Sequence, residues 1–283
     1  MDGDGNLRDK IREAVGALRR EGVGEPEAGI ILGTGLGPLA GKIDARAVVP
    51  YERIPHFPVS TVESHDGQLV FGSLAGRSVA VMKGRVHFYE GYTMKEVAFP
   101  VRVLRGLGAD VLVTSSAVGG LNPLHRAGDI LLVTDHVNLM GDNPLIGPND
   151  DELGPRFPDM SEPYDRTLLA LTEQISVDEK IPVRKGIFVG VAGPNLETAA
   201  EYRFLRSIGA DVVGMSLVPE NLAAVHGGMR HLAFAVITDA CLPDALEPVD
   251  IRRILQVAAE AEPKLARLVE RVIEELPRRG GVG

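Results

Sequence analysis

The sequence predicts an α/β protein in which helices flank one largely parallel sheet. Three observations lead to this fold class. Short apolar runs alternate with segments of helical periodicity, no internal repeat or composition shift divides the 283 residues, and 45% of them are hydrophobic, enough for a sizeable core. Several apolar runs end in glycine or small polar residues. Because ligands of such sheets gather at the carboxyl ends of strands, we expect the binding site there.

The first half of the chain is expected to begin with a helix and then to alternate strands with a second helix. Apolar residues recur at helical spacing over 7–18, whereas 29–32 is a short apolar run before a glycine-rich loop. A turn at Ala75 and Gly76 indicates a hairpin, and Gly108 is a typical helix C-cap. The expected elements are helices over 7–18 and 94–107, and strands over 29–32, 69–72, 78–82, 111–114 and 130–134.

The second half contains a long surface loop followed by further alternation. Residues 140–159 are rich in Pro, Gly, Asn and Asp and hold few apolar side chains, so they cannot build a core element. One domain over 1–283 is expected, with flexible ends at 1–6 and 278–283. The expected elements are helices over 164–175, 198–208, 219–226 and 251–276, and strands over 184–190, 211–215 and 231–238.

Composition excludes several classes of function. The net charge of −9 argues against nucleic acid or membrane surfaces as partners, because both are polyanions that need a basic face. A single cysteine, Cys241, excludes an intramolecular disulfide and a cysteine-based zinc cluster, and it fits a reducing compartment. No apolar run approaches the ~20 residues of a membrane span, and the first 20 residues lack a signal-peptide core. A cytoplasmic location is therefore expected.

Two segments carry groups that suit an anion. The loop Gly-Thr-Gly-Leu-Gly at 33–37 can bring backbone N–H groups close to an anion, although a tight turn explains these glycines equally well. In the segment 83–92, Arg85, His87 and Tyr89 alternate and are expected on one face of an extended chain. Arg and His are donors for phosphate, while the alternative is a solvated edge strand with Glu90 as salt-bridge partner.

The other candidate positions lie at strand ends. Small residues over 114–123 leave room for a flat ligand, or form an ordinary strand–turn. Glu197 stands at a helix start, and Ser216 could be a helix cap or a ligand. Asp239 ends a buried strand, where a carboxylate is costly without a partner. No covalent-nucleophile or metal-binding motif accompanies these groups.

Together these segments resemble the homotrimeric purine nucleoside phosphorylases, which are related to the methylthioadenosine phosphorylases. The resemblance runs from Gly33 to about Leu255, and its most specific parts are 84–92, 117–123, 192–198 and 214–220. It implies a single α/β domain with a mixed, partly barrel-like sheet flanked by helices. It also implies an enzyme of nucleoside metabolism and purine salvage that converts purine ribonucleosides or deoxyribonucleosides and phosphate into free purine and the sugar 1-phosphate.

The resemblance also assigns roles to individual residues. Catalysis would involve His87, Glu197 and Asp239. Phe157 would reach from the long loop into a neighbouring subunit's site, which makes a homotrimer part of the active site. Leu196 stands where an aromatic residue is common, and Thr34 where serine is usual. The phosphate ligands would be Thr34, His65, Arg85, His87, Ala117 and Ser216; the ribose contacts Tyr89, Met215, Phe157 and Ile251; the base contacts Ala117, Val118, Gly119, Leu196, Glu197, Val213, Gly214 and Asp239.

The implied mechanism needs no protein nucleophile, because phosphate itself attacks the ribose. Bound phosphate would stabilise the positive charge that develops on the ribose, and hydrogen bonds to the base would stabilise the departing purine. Phosphate is thus a co-substrate, and no metal or organic cofactor is expected. A nucleoside- or phosphate-binding protein without turnover is the alternative from another functional class.

Asp239 departs from the family pattern. Members specific for 6-oxopurines usually have asparagine there, whose amide can donate to N7 and O6 at once, which a carboxylate cannot do. A carboxylate would repel O6 unless protonated, whereas it accepts well from the N6 amino group of adenine. Glu197 as a carboxylate suits the N1–H of a 6-oxopurine instead. Either base fits if the two acids share one proton and titrate as a unit.

Ile251 is the second departure. Many members have a histidine near the ribose 5′-hydroxyl at this position, and an apolar residue tolerates a 5′-methylthio group. A phosphorylase of 5′-methylthioadenosine or 5′-methylthioinosine is therefore the alternative within the family. Those relatives differ at Glu90-Gly91-Tyr92 and at Glu197-Thr198, however, and Ile251 could simply pack a helix start.

Overall fold

A computed structural model describes residues 6–33, 37–60 and 67–277. Among these residues, sixteen helices and strands follow one another along the chain. They are α1 (Leu7–Arg20), β1 (Ala28–Leu32), α2 (Gly37–Gly41), β2 (Asp44–Pro50), β3 (Gln68–Leu74), β4 (Arg77–Lys83), α3 (Met94–Leu107), β5 (Val111–Gly120), β6 (Ile130–Leu139), α4 (Arg166–Asp178), β7 (Val183–Val191), α5 (Ala199–Ser207), β8 (Val212–Gly214), α6 (Val218–His226), β9 (Arg230–Ala240) and α7 (Ile251–Glu275).

The described strands form one nine-stranded mixed sheet, part of which closes on itself. The order is β2-β3-β4-β1-β5-β8-β7-β6-β9, and β9 also pairs with β5. Strands β5, β8, β7, β6 and β9 therefore complete a ring, and β1, β4, β3 and β2 extend from it. This confirms the mixed, partly barrel-like sheet. The expectation of a largely parallel sheet is wrong, because β2–β3, β3–β4, β5–β8 and β6–β9 are antiparallel.

Most expected helices and strands are present, but their lengths differ from the expected ones where pairing between distant strands determines where a strand ends. The hairpin turn at Ala75 and Gly76 and the left-handed C-cap at Gly108 are confirmed. Strand β5 continues to Gly120, well past the expected end, because β9 pairs along its whole length. The sequence pattern missed β2 and α2. Strand β2 alternates exposed and buried residues only weakly, and its pairing with β3 holds it in the sheet.

Helices cover the sheet and enclose its core. Two large apolar clusters contain the buried side chains of the sheet together with those of the flanking helices, and a third, smaller cluster lies below β8 and α5. The third cluster includes Tyr202 and Cys241, both 2% exposed. Among the described helices, none has the length and apolar character that crossing a membrane requires.

The long loop between β6 and α4 is attached to α6 through His226 and Asn221. His226 accepts a hydrogen bond from Arg102 at Nδ1 and contacts Asn149 through Nε2, both at 3.2 Å. Asn221 Nδ2 donates to His231 Nδ1 at 2.8 Å and to the Pro163 carbonyl at 2.6 Å. These contacts hold a loop that lacks a core of its own.

His231 is neutral in the folded protein. It is 1% exposed, and its Nε2 lies 2.8 Å from Thr114 Oγ1. Because Asn221 donates to Nδ1, the Nε2–H donates to the threonine. Burial is the main cause that lowers the pKa of His231 to about 3, and the positive charges of His136 and Arg85 lower it further.

We predict that this histidine destabilises the protein in acid. The pKa of His231 in the folded protein lies below the unfolded value of about 6.5, so its full contribution to the free energy of unfolding is present above that pH. The contribution is lost as the pH falls toward 3, at up to about 1.4 kcal/mol per pH unit. Urea unfolding between pH 7.5 and 4 measures this slope. The variant His231→Gln should be less stable at pH 7.5 and show a shallower slope, whereas parallel slopes would contradict the assignment.

Candidate active site

A cavity of about 290 Å³ opens at the carboxyl ends of the central strands and collects most of the predicted site residues. A larger groove of about 1370 Å³ lies between α1, α3 and the long loop, but none of the predicted residues lines it. Thr34 and His65 lie outside the described residues. The predicted residues that line the smaller cavity are Arg85, His87, Tyr89, Ala117, Val118, Gly119, Leu196, Glu197, Val213, Gly214, Met215, Ser216, Asp239 and Ile251.

Arg85 marks one end of the cavity. Its side chain is 3% exposed, and its Nε lies 3.4 Å from Oε1 of Glu220, which is equally buried in the first turn of α6. Burial lowers the pKa of Arg85, and the charge of Glu220 opposes this change. Tyr51 donates to the carbonyl of the preceding Gly84 at 2.8 Å. The alternative prediction, a solvated edge strand with Glu90 as salt-bridge partner, is therefore wrong for Arg85.

His87 and Tyr89 reach the same cavity by a different backbone path from the one expected. The chain turns at Gly84 and forms a 3₁₀ helix over Phe88–Glu90, so the segment is not a continuous extended strand. The two rings stack with centroids 4.8 Å apart. Glu90 accepts from the His87 backbone N–H at 2.7 Å and lies 3.1 Å from Nδ1. This contact orients the imidazole.

Ser216 is a cavity residue and does not cap α6. Its hydroxyl lies 2.8 Å from that of Ser116, whereas the N-cap residue of α6 is Leu217, which makes no side-chain capping bond. Leu217 has a φ of 66°, uncommon for a side chain of its size. This sharp turn between β8 and α6 separates Ser216 from the helix and places it beside Arg85 in the cavity wall.

Close packing against β5 explains why the first residue of the glycine-rich loop, Gly33, is a glycine. A Cβ at this position would lie 2.4 Å from the carbonyl oxygen of Ser115, so only glycine allows β1 to approach β5 here. Its N–H donates to Ser115 Oγ at 3.2 Å. The glycine therefore brings the start of the loop to the edge of the cavity, which it also lines.

Glu197 and Asp239 also line the cavity and form a second group of residues, which we call its acidic end. A capping box between Thr198 and Glu201 starts α5 and fixes the residue before it, Glu197. Burial is the main cause that raises the pKa of Glu197, and the negative charge of Asp239 adds to the increase. The two acids are thus close enough to interact, as the sharing of a proton requires.

Asp239 owes its position to an irregularity in β9. The register with β5 shifts so that Val118 pairs with Ile237 and Gly119 with Asp239, which leaves Thr238 as the extra residue of a bulge. Thr238 Oγ1 donates to Asp239 Oδ1 at 2.8 Å, and Cys241 Sγ donates to Oδ2 at 3.2 Å. Both oxygens of this carboxylate therefore accept hydrogen bonds from the protein.

The sequence reasoning missed several residues of the cavity. Cys241 stands two residues after Asp239, and in an extended chain this spacing places both on one side, so the signal was present. Tyr202 falls in the first turns of α5, where an inward aromatic residue is ordinarily read as core. Gly33 and Ser116 lie in segments that were predicted to form the site, whereas the missed lining residues are Tyr202, Thr238, Cys241 and Ile254.

Phe157 does not line the cavity of its own chain. Its side chain is 86% exposed on the long loop, with the guanidinium carbon of Arg156 5.6 Å from the ring centroid. Ile251 is 60% exposed and Leu196 44% exposed at the cavity mouth. In the described part of the chain, no three His, Cys, Asp or Glu side chains converge as a metal site.

Comparison with known proteins agrees with this geometry. The family model described as the phosphorylase superfamily matches residues 27–274. Purine nucleoside phosphorylase 1 of Bacillus subtilis (strain 168) is 46% identical over 269 residues, which cover 95% of this chain and 99% of the relative.

Solved structures show the same likeness. Isoform 2 of the Schistosoma mansoni purine nucleoside phosphorylase, in complex with cytosine and ribose-1-phosphate, superposes with a TM-score of 0.91 at 39% identity. That match covers 95% of this chain and 97% of the other. A Schistosoma mansoni purine nucleoside phosphorylase in complex with adenosine has a TM-score of 0.90 at 37% identity and covers 96% and 99% of the two chains.

Proposed function

The chain belongs to the phosphorylase superfamily and, within it, to the purine nucleoside phosphorylases, and from this premise we propose how its cavity carries out the reaction. The protein is an enzyme that splits a purine nucleoside with inorganic phosphate into free purine and ribose 1-phosphate. One observation carries the assignment of roles: a single cavity is lined by a buried guanidinium, an imidazole and a serine, and also by two carboxylates that interact with each other.

The end near Arg85 binds phosphate in this proposal. A guanidinium binds phosphate oxygens with two parallel hydrogen bonds, and His87 and Ser216 supply further donors. The backbone N–H of Ala117, with Thr34 and His65, completes the set. One phosphate oxygen forms the new bond to the ribose C1′ while the bond from C1′ to the purine breaks. The negative phosphate stabilises the positive charge that develops on the ribose. Tyr89, Met215 and Ile251 contact the ribose between the two ends.

The end near Glu197 and Asp239 receives the purine. The cavity-lining residues Ala117, Val118 and Gly119 of β5, together with Val213 and Gly214 of β8, form a flat surface against which the base lies, and Leu196 covers the base at the mouth. The departing base carries negative charge, so hydrogen bonding or proton donation to its ring nitrogens lowers the barrier. Side chains thus supply the charge stabilisation at both ends, and we propose that phosphate is a co-substrate and that no metal or organic cofactor takes part.

The base range of the enzyme includes 6-aminopurines in this proposal. Asp239 accepts hydrogen bonds from Thr238 and Cys241. Burial favours the protonated form of Glu197. With the shared proton on Glu197, that acid donates to N1 of adenine and Asp239 accepts from the N6 amino group. Moving the proton to Asp239 would accommodate a 6-oxopurine.

A 5′-methylthio nucleoside is a second candidate substrate class. Ile251 and Ile254 both line the cavity from the start of α7, so this part of its wall is apolar. A hydroxyl that is buried against such a wall loses its hydrogen bonds to water and gains no partner, which costs free energy. A methylthio group has no such cost.

We predict phosphate-dependent release of free base from both adenosine and inosine. The measurement is kcat/KM for adenosine, inosine, guanosine and 5′-methylthioadenosine, with and without inorganic phosphate. Asp239→Asn should lower kcat/KM for adenosine at least about tenfold and raise it for inosine, because an amide donates where the carboxylate accepts; loss of one hydrogen bond to a charged group has this size.

A matched control is Asp244→Asn, whose carboxylate is 87% exposed and pairs with Arg203. It should leave the preference unchanged. A strong adenosine preference that Asp239→Asn does not reduce would contradict proton sharing, and nucleoside binding without phosphate-dependent release would contradict the enzyme.

We further propose a homotrimer in which Phe157 enters the cavity of a neighbouring subunit, and a cytoplasmic enzyme of purine salvage. The support for the trimer is the exposure of a large aromatic side chain on a loop that is firmly attached at its base. The support for the location is a single, buried and unpaired cysteine, which fits a reducing compartment.

Sedimentation equilibrium should give three times the chain mass. Phe157→Ala should raise KM for the nucleoside while the trimer persists, and an active monomer would contradict the arrangement.

A further inference from the structure

A chain of hydrogen-bonding side chains connects the two acids at the base end. The Cys241 thiol donates to Asp239 Oδ2 at 3.2 Å. The Tyr202 hydroxyl is within hydrogen-bonding reach of Cys241 and of Glu197, and its single proton can be donated to one of them at a time. Asp239 and Glu197 are therefore linked through two residues that have no assigned role in the reaction.

The position of the thiol is fixed by packing. Cys241 and Tyr202 belong to the small apolar cluster beneath β8 and α5, together with Val189, Leu205 and Val213. A Cβ added at Gly119 would lie only 2.5 Å from Cys241 Sγ, so the sulfur rests directly against the backbone of β5. This contact leaves the thiol little freedom to turn away from Asp239.

The thiol acts as a donor here. Burial is the main cause that raises the pKa of Cys241 to about 12, and the charge of Asp239 contributes. The thiol therefore keeps its proton throughout the neutral range. Its S–H covers one lone pair of Oδ2, as the Thr238 hydroxyl does for Oδ1. The remaining lone pairs of the carboxylate can accept hydrogen bonds from a ligand.

We propose that Cys241, supported by Tyr202, is a positioning residue that determines base specificity: its thiol holds Asp239 as a hydrogen-bond acceptor aimed at the 6-amino group of a purine. The proposal rests on the proposed function and deepens it. Tyr202 links this acceptor to Glu197, so that one acid accepts while the other donates. Substitutions at position 241 therefore change the choice between 6-amino and 6-oxo bases without any contact between this side chain and the reacting bond.

The test compares Cys241→Val, which keeps an apolar side chain, adds one methyl group and removes the donor, with Cys241→Ser, which restores a donor. The measured quantity is the ratio of kcat/KM for adenosine to that for inosine at saturating phosphate. Cys241→Val should lower this ratio about tenfold, the effect of one lost hydrogen bond to a carboxylate, and Cys241→Ser should return it toward the wild-type value. Melting temperatures, with and without phosphate, verify that both variants fold.

Tyr202→Phe provides a second, independent variant that keeps the ring in the cluster. It should lower the ratio in the same direction, and adding it to Cys241→Val should lower the ratio by less than the product of the two separate effects, because both act through one chain of contacts. An unchanged ratio in Cys241→Val overturns the proposal. Equal losses for both nucleosides in the Val and Ser variants, the pattern of a purely structural role, overturn it too.

Activity measurements on the wild-type enzyme distinguish a failure of this proposal from a failure of the proposed function. Release of base from inosine but not from adenosine would leave phosphorolysis standing and overturn the role of Cys241. If no nucleoside releases its base with phosphate, the proposed function itself fails.

Discussion

The burial of Arg85 against Glu220 is the constraint on which the site depends. A guanidinium that is 3% exposed is stable only beside an opposite charge, and Glu220 supplies it from α6. The pair joins the end of β4 to the first turn of α6 across the cavity. Because α6 follows Ser216 after one sharp turn at Leu217, the same ion pair also sets the position of that serine. One electrostatic requirement thus brings together, from distant parts of the chain, the residues that we propose bind phosphate.

The opposite end is built by strand geometry. Closure of the ring through β5 and β9 brings the ends of both strands together, and the bulge at Thr238 turns Asp239 into the cavity. Glu197 arrives independently, at the N-terminus of α5. In the proposed reaction the cationic group suits the attacking phosphate anion, and the protonated member of the acid pair donates a hydrogen bond to the departing purine anion.

The local sequence pattern was sufficient to predict much of this site, but not the parts that depend on pairing between distant strands. Arg85, Ser216, Glu197 and Asp239 could be predicted because each lies at the end of a strand or in the segment that follows one, and strand ends meet at one edge of the sheet. The extra length of β5, the closure of the ring and the bulge depend on pairing between strands far apart in sequence. The hydrogen bond from Cys241 could not be predicted for the same reason: the spacing places it near Asp239, but the bulge decides which way the carboxylate faces.

The most direct test of the two-ended cavity is the affinity for inorganic phosphate, measured by isothermal titration calorimetry without nucleoside. Arg85→Lys keeps a positive charge opposite Glu220 and loses the planar fork, so phosphate should bind at least about tenfold more weakly. Asp239→Asn should bind phosphate as the wild type does. Unchanged affinity in Arg85→Lys, or equal weakening in both variants, would contradict the division of the cavity into a phosphate end and a base end.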